Sequence, residues 1–333
     1  MAEICPKGKS TDSKRSFKTL SKGSSCAWLN LMMSKEISGI IPIVAATFTK
    51  SGTLDEDSFQ SLIRHLLGTN ASALTLFGLA TEFYKLADNE RARMQTLLLA
   101  ETCQSESVAG IISITDHSWE VACQRAHDAE AQGADGLMIL PPYFLGPGED
   151  AILEHLQRVI GSVKIPVIVQ YAPVQTGVRI QPEVFLKLRD ALPNANFIKV
   201  ESQPPGPYVS QLLERSQGRL KSLVGYAGVQ MPDVLARGAV GIQPGCSFTE
   251  IYVELWRLWQ TDKTAFLVLH NKLLPYISYW MQGVELIVKV EKVILKRRGI
   301  IASDYCRSPA YTLDEREQIQ IEQFMAHFAE WLK

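Results

Sequence analysis

The sequence predicts an α/β chain folded as a (β/α)8 TIM barrel with a C-terminal helical appendage, and three observations carry that prediction. From Ile40 onward, eight short apolar, β-rich runs alternate with longer stretches of helical period, the rhythm of a parallel sheet wrapped by helices. Gly133-Ala134-Asp135-Gly136 and Arg237-Gly238-Ala239-Val240-Gly241 read as helix ends followed at once by a strand, the glycine supplying the left-handed cap. After residue 244 the strand signal stops and only helical pattern follows. Eight parallel strands buried on both faces close more economically as a barrel than as an open sheet, a doubly wound sheet being the alternative.

Taken in order, residues 1–36 stand apart. Lys7, Lys9, Lys14, Arg15, Lys18, Lys22 and Lys35 are interspersed with Ser and Gly, with few acids and no period, which predicts a disordered extension or an over-long start ahead of Met32 and Met33. A transit peptide fits less well, because such peptides are richer in Arg and amphipathic. The barrel is predicted over 37–261, with strands at 40–46, 73–77, 108–114, 136–140, 165–171, 196–200, 222–225 and 240–244. Among the helices, 55–67 places Phe59, Leu62, Ile63, Leu66 and Leu67 on one face behind the acidic turn Asp55-Glu56-Asp57. The segment 88–101 repeats the design, with Asp88 as N-cap and Arg91 as its partner. Helices at 250–260, 263–276, 279–298 and 314–332 follow, the first closing the barrel and the rest forming the appendage over 262–333. Trp256, Trp259, Tyr276, Tyr279 and Trp280 make these helices aromatic, which fits an internal core or, slightly better, a subunit contact.

The bulk numbers exclude several classes of function. A net charge of -1 lacks the basic excess that nucleic-acid binding needs. No apolar run approaches the roughly 18 residues of a membrane span. The 6 cysteines include no CxxC pair, so neither zinc nor a disulfide framework is expected. Asp116-His117 follows the third strand without a second clustered ligand, and a loop histidine bonded to backbone is the better reading.

In a barrel of this kind catalytic groups come from the C-terminal ends of strands and the loops after them. There Lys199 stands out, a lysine inside the apolar run Phe197-Ile198-Lys199-Val200. Burial of a lysine disfavours the ammonium and so favours the free amine able to attack a carbonyl. The competing reading is a buried lysine ion-paired with Glu201 or Glu82. Tyr171 closes the neighbouring strand, about 4.8 Å away, where a phenol could move protons, or could simply be a core tyrosine. Gly78 lets the backbone of Leu79, Ala80 and Thr81 aim amides at a carboxylate, while Glu82 reads as a structural acceptor. Tyr143, Gln175, Tyr226 and Cys246 follow strands 4, 5, 7 and 8 and are candidates for the mouth of the barrel.

With Gly39-Ile40-Ile41-Pro42 before a Thr47-Phe48 corner, the Gly-x-x-x-Glu loop at 78–82, Pro141-Pro142-Tyr143, Tyr171, Ile198-Lys199 and Arg307-Ser308-Pro309, the chain resembles the dihydrodipicolinate synthase / N-acetylneuraminate lyase family of pyruvate-dependent Schiff-base aldolases. The resemblance runs from about Ile37 to the end. It implies a lyase that needs no metal or cofactor and is a cytoplasmic homo-oligomer, tetramer or dimer, acting on a small 2-oxo acid. It also implies that Lys199 forms the imine, Tyr171 shuttles protons, and the Gly78 loop with Tyr143, Gln175 and Tyr226 lines the substrate site.

The departures bear on the substrate. Where the synthase branch has two hydroxyl residues and a Gly after the loop glycine, this chain has Leu79, Ala80 and Thr81. Phe144 stands where a second tyrosine is expected, and Val174-Gln175-Thr176-Gly177 lacks the arginine that would hold the second substrate's carboxylate. These changes favour aldol cleavage, condensation or dehydration of a sugar-derived or other 2-oxo acid over 4-hydroxy-tetrahydrodipicolinate synthesis. A catalytically impaired barrel that only binds 2-oxo acids is the reading from a different class.

Overall fold

The computed structural model describes residues 35–332. Met32, Met33 and nearly all of the predicted extension lie outside the described residues. Eight parallel strands, β1 (Gly39–Ile40), β2 (Ala73–Leu76), β3 (Ala109–Ser113), β4 (Gly136–Ile139), β5 (Val167–Tyr171), β6 (Phe197–Val200), β7 (Lys221–Val224) and β8 (Gly241–Ile242), are joined in sequence order, with β1 paired to β8. Closure between β1 and β2 rests on a parallel bridge from Ile43 to Thr75, with Thr75 N donating to Pro42 O at 3.0 Å and Val44 N to Thr75 O at 2.8 Å. The barrel predicted from the alternation is therefore present, although β1 is far shorter than the expected 40–46. Pro42 has no N–H to give, so the regular ladder stops before it. Pro166 delays β5 in the same way.

Between the strands lie α1 (Glu56–Leu67), α2 (Asp88–Thr102), α3 (Trp119–Ala131), α4 (Glu149–Gly161), α5 (Pro182–Ala191), α6 (Gly206–Arg215), α7 (Met231–Ala236) and α8 (Thr249–Thr261). Asp55 caps α1 by accepting from Ser58 N at 3.0 Å and from the Ser58 hydroxyl at 2.8 Å. At α2 the cap position falls on Ala87, whose N–H donates to Glu90 Oε2 at 3.0 Å, so Asp88 is already inside the helix. Arg91, expected as its partner, instead lies 4.2 Å over the ring of Phe77.

The appendage is α9 (Lys263–Trp280), α10 (Val284–Arg297) and α11 (Glu315–His327). The break between α9 and α10 comes later than predicted: α9 runs through Pro275 to Trp280, and Gly283 precedes α10. Trp280 is fully buried and packs with Phe248, Tyr276 and Phe324, and Phe324 meets Phe328 at 5.0 Å. For Trp280 and Tyr276 the aromatic pattern is thus an internal core. Among the described residues no helix is long and apolar enough to cross a membrane.

Two buried charged groups tie the appendage to the barrel mouth. Lys292 of α10, fully buried, bonds Glu82 of the Gly78 loop, and Lys85 bonds the other oxygen of Glu82 at 3.0 Å. Glu82→Gln leaves both ammoniums without their shared carboxylate. Breaking one partner of a buried pair costs about 3–5 kcal/mol, and a loss of that size is expected in chemical denaturation.

Glu291 accepts from Ser247 N at 2.6 Å and fills the space beside Gly245, where a Cβ would meet it at 2.3 Å. Burial pushes this carboxyl from 4.5 up to about 7, against smaller opposing pulls from the Ser247 and Cys246 backbone and from Arg298. Its folded-state pKa is raised, so its favourable contribution is fully present below about 4.5 and is lost as pH rises through about 7. Glu291→Gln is therefore expected to gain about 2–4 kcal/mol relative to the parent between pH 4 and pH 8, measured as paired denaturation curves at the two values.

Candidate active site

Inside the barrel, side chains alternate in and out along each strand. Ile41, Ala73, Ala109, Ile111, Met138, Ile168, Phe197 and Leu223 fill the lower interior, while Val167, Val169, Ile198 and Val200 face the helices. Two residues above Phe197 the same inward face carries Lys199, and two above that Glu201. Lys199 is 4% exposed, and its Nζ lies 3.4 Å from Glu201 Oε1. Its register partners are Gln170 on β5 and Leu223 on β7. Gln170, also buried, donates its side-chain amide to Glu201 Oε2.

Glu201 fits there because β7 is followed at once by Gly225. A Cβ at that glycine would stand 2.0 Å from Glu201 Oε1 and 2.7 Å from its Cδ. The site is therefore a row of three polar groups, Gln170, Glu201 and Lys199, at the C-terminal end of the barrel, above an apolar lower interior. Across the barrel Gln243 donates to Thr75 Oγ1 at 3.1 Å and leaves its own carbonyl oxygen buried without a partner. Such an orphan acceptor costs roughly 1–3 kcal/mol, and it offers a hydrogen-bond acceptor to a molecule entering the barrel.

The geometry does not bring Tyr171 to Lys199. The register aligns Tyr171 with Val200 and Gln170 with Lys199, so the phenol is on the opposite face of β5. Its ring stacks on Tyr208 of α6 at 4.5 Å and packs edge-on to Phe185 of α5 at 6.1 Å. Burial pushes the phenol's pKa up, with a smaller opposing pull from the Ile180 backbone. Adjacency of strands was read correctly, but phase was not. The polar Gln170 inside Val167-Ile168-Val169-Gln170-Tyr171 was the available signal for the inward position, and Glu201, two residues beyond Lys199, was the signal for its partner.

The loop after β2 is a tight turn. Leu79–Thr81 forms a 3-10 turn, with Thr81 N donating to Gly78 O and Glu82 N to Leu79 O, both at 2.9 Å. Gly78 packs against Ile43, where a Cβ would come within 2.8 Å, so its role is close approach. The Thr81 amide, expected to help receive a carboxylate, is thus spent inside the turn, and its hydroxyl donates to Val44 O at 2.7 Å. The backbone amides of Leu79 and Ala80 precede the turn's first internal bond. Phe77 and Glu82, at φ 64 and 58, bracket the loop in the left-handed region, a conformation that costs non-glycine residues about 1–3 kcal/mol each. The ion pairs on Glu82 hold one end, and Arg307 holds the neighbourhood by donating to Gly52 O at 3.0 Å and Lys85 O at 2.8 Å.

Over the β5 and β7 ends, Gln175 donates its amide to the Tyr226 hydroxyl at 3.1 Å, and the Gln175 carbonyl oxygen is buried without a partner. Tyr226, Ala227 and Gly228 all have positive φ, and the turn is fixed by Tyr252, whose hydroxyl donates to Ala227 O at 2.7 Å. Tyr143 stands edge-on to His117 at 4.8 Å, and Phe144 beside it is 79% exposed. Asp116 accepts from Ser118 N at 2.9 Å and pairs with Arg125 at 3.1 Å. Cys246 is buried, which pushes its thiol up and away from nucleophilic use.

Comparison with known proteins gives a consistent picture. The family model described as Dihydrodipicolinate synthetase family matches residues 36–328. YjhH of Escherichia coli (strain K12), described as a probable 2-dehydro-3-deoxy-D-pentonate aldolase, is 25% identical over 86% of this chain and 96% of its own. The 4-hydroxy-tetrahydrodipicolinate synthase of Campylobacter fetus subsp. fetus (strain 82-40) is 29% identical over 63% of this chain and 69% of its own. Among solved structures, YagE from E. coli K12 in complex with pyruvate superposes with a TM-score of 0.77 at 23% identity, covering 88% of this chain and 99% of that one.

Proposed function

Because the chain belongs to the dihydrodipicolinate synthetase family, we propose that Lys199 forms an imine with the keto carbon of a pyruvate-like 2-oxo acid, and that the reaction is aldol cleavage or condensation, or dehydration, of a sugar-derived acid. The chain is a lyase of that family. The observation that carries this proposal is the buried Lys199 amine at the C-terminal end of β6, where a barrel presents its chemistry. An iminium at Lys199 draws in the electron pair of an adjacent C–H or C–C bond, so no further electron sink is required.

The substrate carboxylate would be received by the Leu79 and Ala80 amides, and hydroxyls along its chain by the Gln175 carbonyl oxygen and the Tyr226 hydroxyl. Gln175 favours hydroxyls over a second carboxylate, because an amide cannot offer the paired charged donors of an arginine. The near full-length match to YjhH supports the same class. Exposed Phe144 supports a homo-oligomer, dimer or tetramer, which sizing in solution would check.

The synthase reading, favoured by the Campylobacter relative, expects turnover of pyruvate with aspartate semialdehyde. Borohydride trapping against pyruvate and a panel of 2-dehydro-3-deoxy sugar acids tests the main reading. A mass increase on Lys199 with at least one acid is expected, and in unreduced reactions with the same acid, release of pyruvate or loss of water. No adduct with any 2-oxo acid would sink it, and stabilisation by such an acid without adduct or turnover would leave a binding barrel.

A further inference from the structure

We propose that Glu201 is the acid–base residue of this site, exchanging protons with Lys199 and with the bound substrate. The inference rests on the Lys199 imine. The described residues give Glu201 no cation other than Lys199, and they place Glu201 rather than a phenol beside the reacting nitrogen. A salt bridge that served stability alone would be poorly placed here, since two buried ions usually recover little more than their desolvation cost. The surroundings are instead arranged for this carboxylate. Gly225 gives up the volume that its Oε1 occupies, and Gln170 anchors Oε2, leaving Oε1 directed at the lysine.

The proton balance closes with these two residues. Glu201 takes one proton from the Lys199 ammonium, and the free amine adds to the keto carbon. The proton on nitrogen passes to oxygen, giving a neutral carbinolamine. Glu201 returns its proton to that hydroxyl, the C–O bond breaks, and water leaves the iminium and a carboxylate. In the cleavage direction the carboxylate then removes the proton of the substrate hydroxyl as the C–C bond breaks, the electron pair passing to the iminium to form an enamine and an aldehyde. The acid so formed protonates the enamine carbon, and hydrolysis frees Lys199. With pyruvate alone, the same group removes and returns a methyl proton.

The test is deuterium exchange at the pyruvate methyl in D2O, normalised to the amount of imine trapped by borohydride, in the full chain and in Glu201→Gln, Glu201→Asp and Tyr171→Phe. Normalising separates proton transfer from mere positioning of the lysine, which would move adduct and exchange together. Glu201→Gln is expected to lower exchange per trapped imine by about 10²–10³-fold, with Tyr171→Phe within about 3-fold of the parent. Glu201→Asp, which withdraws the carboxylate by one methylene but keeps its charge, should lose about 10-fold; it carries the test if the glutamine variant does not fold. Unchanged exchange per imine in either Glu201 variant, or a fall in Tyr171→Phe as large as in Glu201→Gln, overturns the inference while the lysine imine stands. Absence of any adduct in the parent chain with every 2-oxo acid overturns the imine reading, and this one with it.

Discussion

Lys199→Ala is expected to abolish borohydride trapping and to lower kcat/KM by at least about 10⁴-fold, the scale on which removal of a covalent nucleophile acts. The reason is chemical rather than steric. Without the amine no iminium forms, and the bond next to the keto group has nowhere to send its electron pair. The substitution also leaves Glu201 with only Gln170, and breaking one partner of a buried pair costs about 3–5 kcal/mol, so a lower melting temperature is expected beside the lost adduct. A variant that keeps its fold, binds 2-oxo acids and gives no adduct is the expected outcome. One that turns over at more than a hundredth of the parent rate would show that the chemistry does not pass through this lysine.

Gly225→Ala is the second large effect. Its φ of -95° is not in the left-handed region; what this glycine leaves is space. The new methyl would fall 2.0 Å from Glu201 Oε1, well inside van der Waals contact, and Glu201 must swing away from Lys199 or β7 must shift. Misplacing a reacting constellation by about 1 Å costs on the order of 10²-fold, so kcat is expected to drop about that far with an intact melting transition. Measuring kcat alongside thermal unfolding checks both halves, and a variant with parental kcat would show that the carboxylate's position beside the lysine is immaterial.

Much of the site could be read in the sequence because its signals are local. A lysine in an apolar strand is anomalous whatever the fold, since the desolvation cost demands a reason. The eight strand runs, the glycine-ended helices and the helical tail are likewise written in nearest-neighbour pattern, and the barrel follows from them. Gly78 was legible as a close-approach glycine, though not as the seat of Ile43. Glu82 was legible as a structural acceptor, though its partners, Lys85 and above all Lys292 from 210 positions later, were not.

What failed was phase and partnership. Tyr171 and Lys199 lie on neighbouring strands, but a shift of one residue turns a side chain to the opposite face of a sheet, and only the inter-strand register fixes that shift. The Thr81 amide was expected to face a carboxylate and is spent on Gly78 O, while its hydroxyl donates to Val44 O, a pairing set by closure of the barrel. By itself, then, the sequence determined the barrel, its helical tail and the buried lysine, because alternation, helical period and the cost of burying a charge are properties of short segments. The tertiary structure decided what faces that amine: Gln170 rather than Tyr171, and Glu201 in the space left by Gly225. Those are contacts between strands, and their distances depend on register and closure, which no single segment contains.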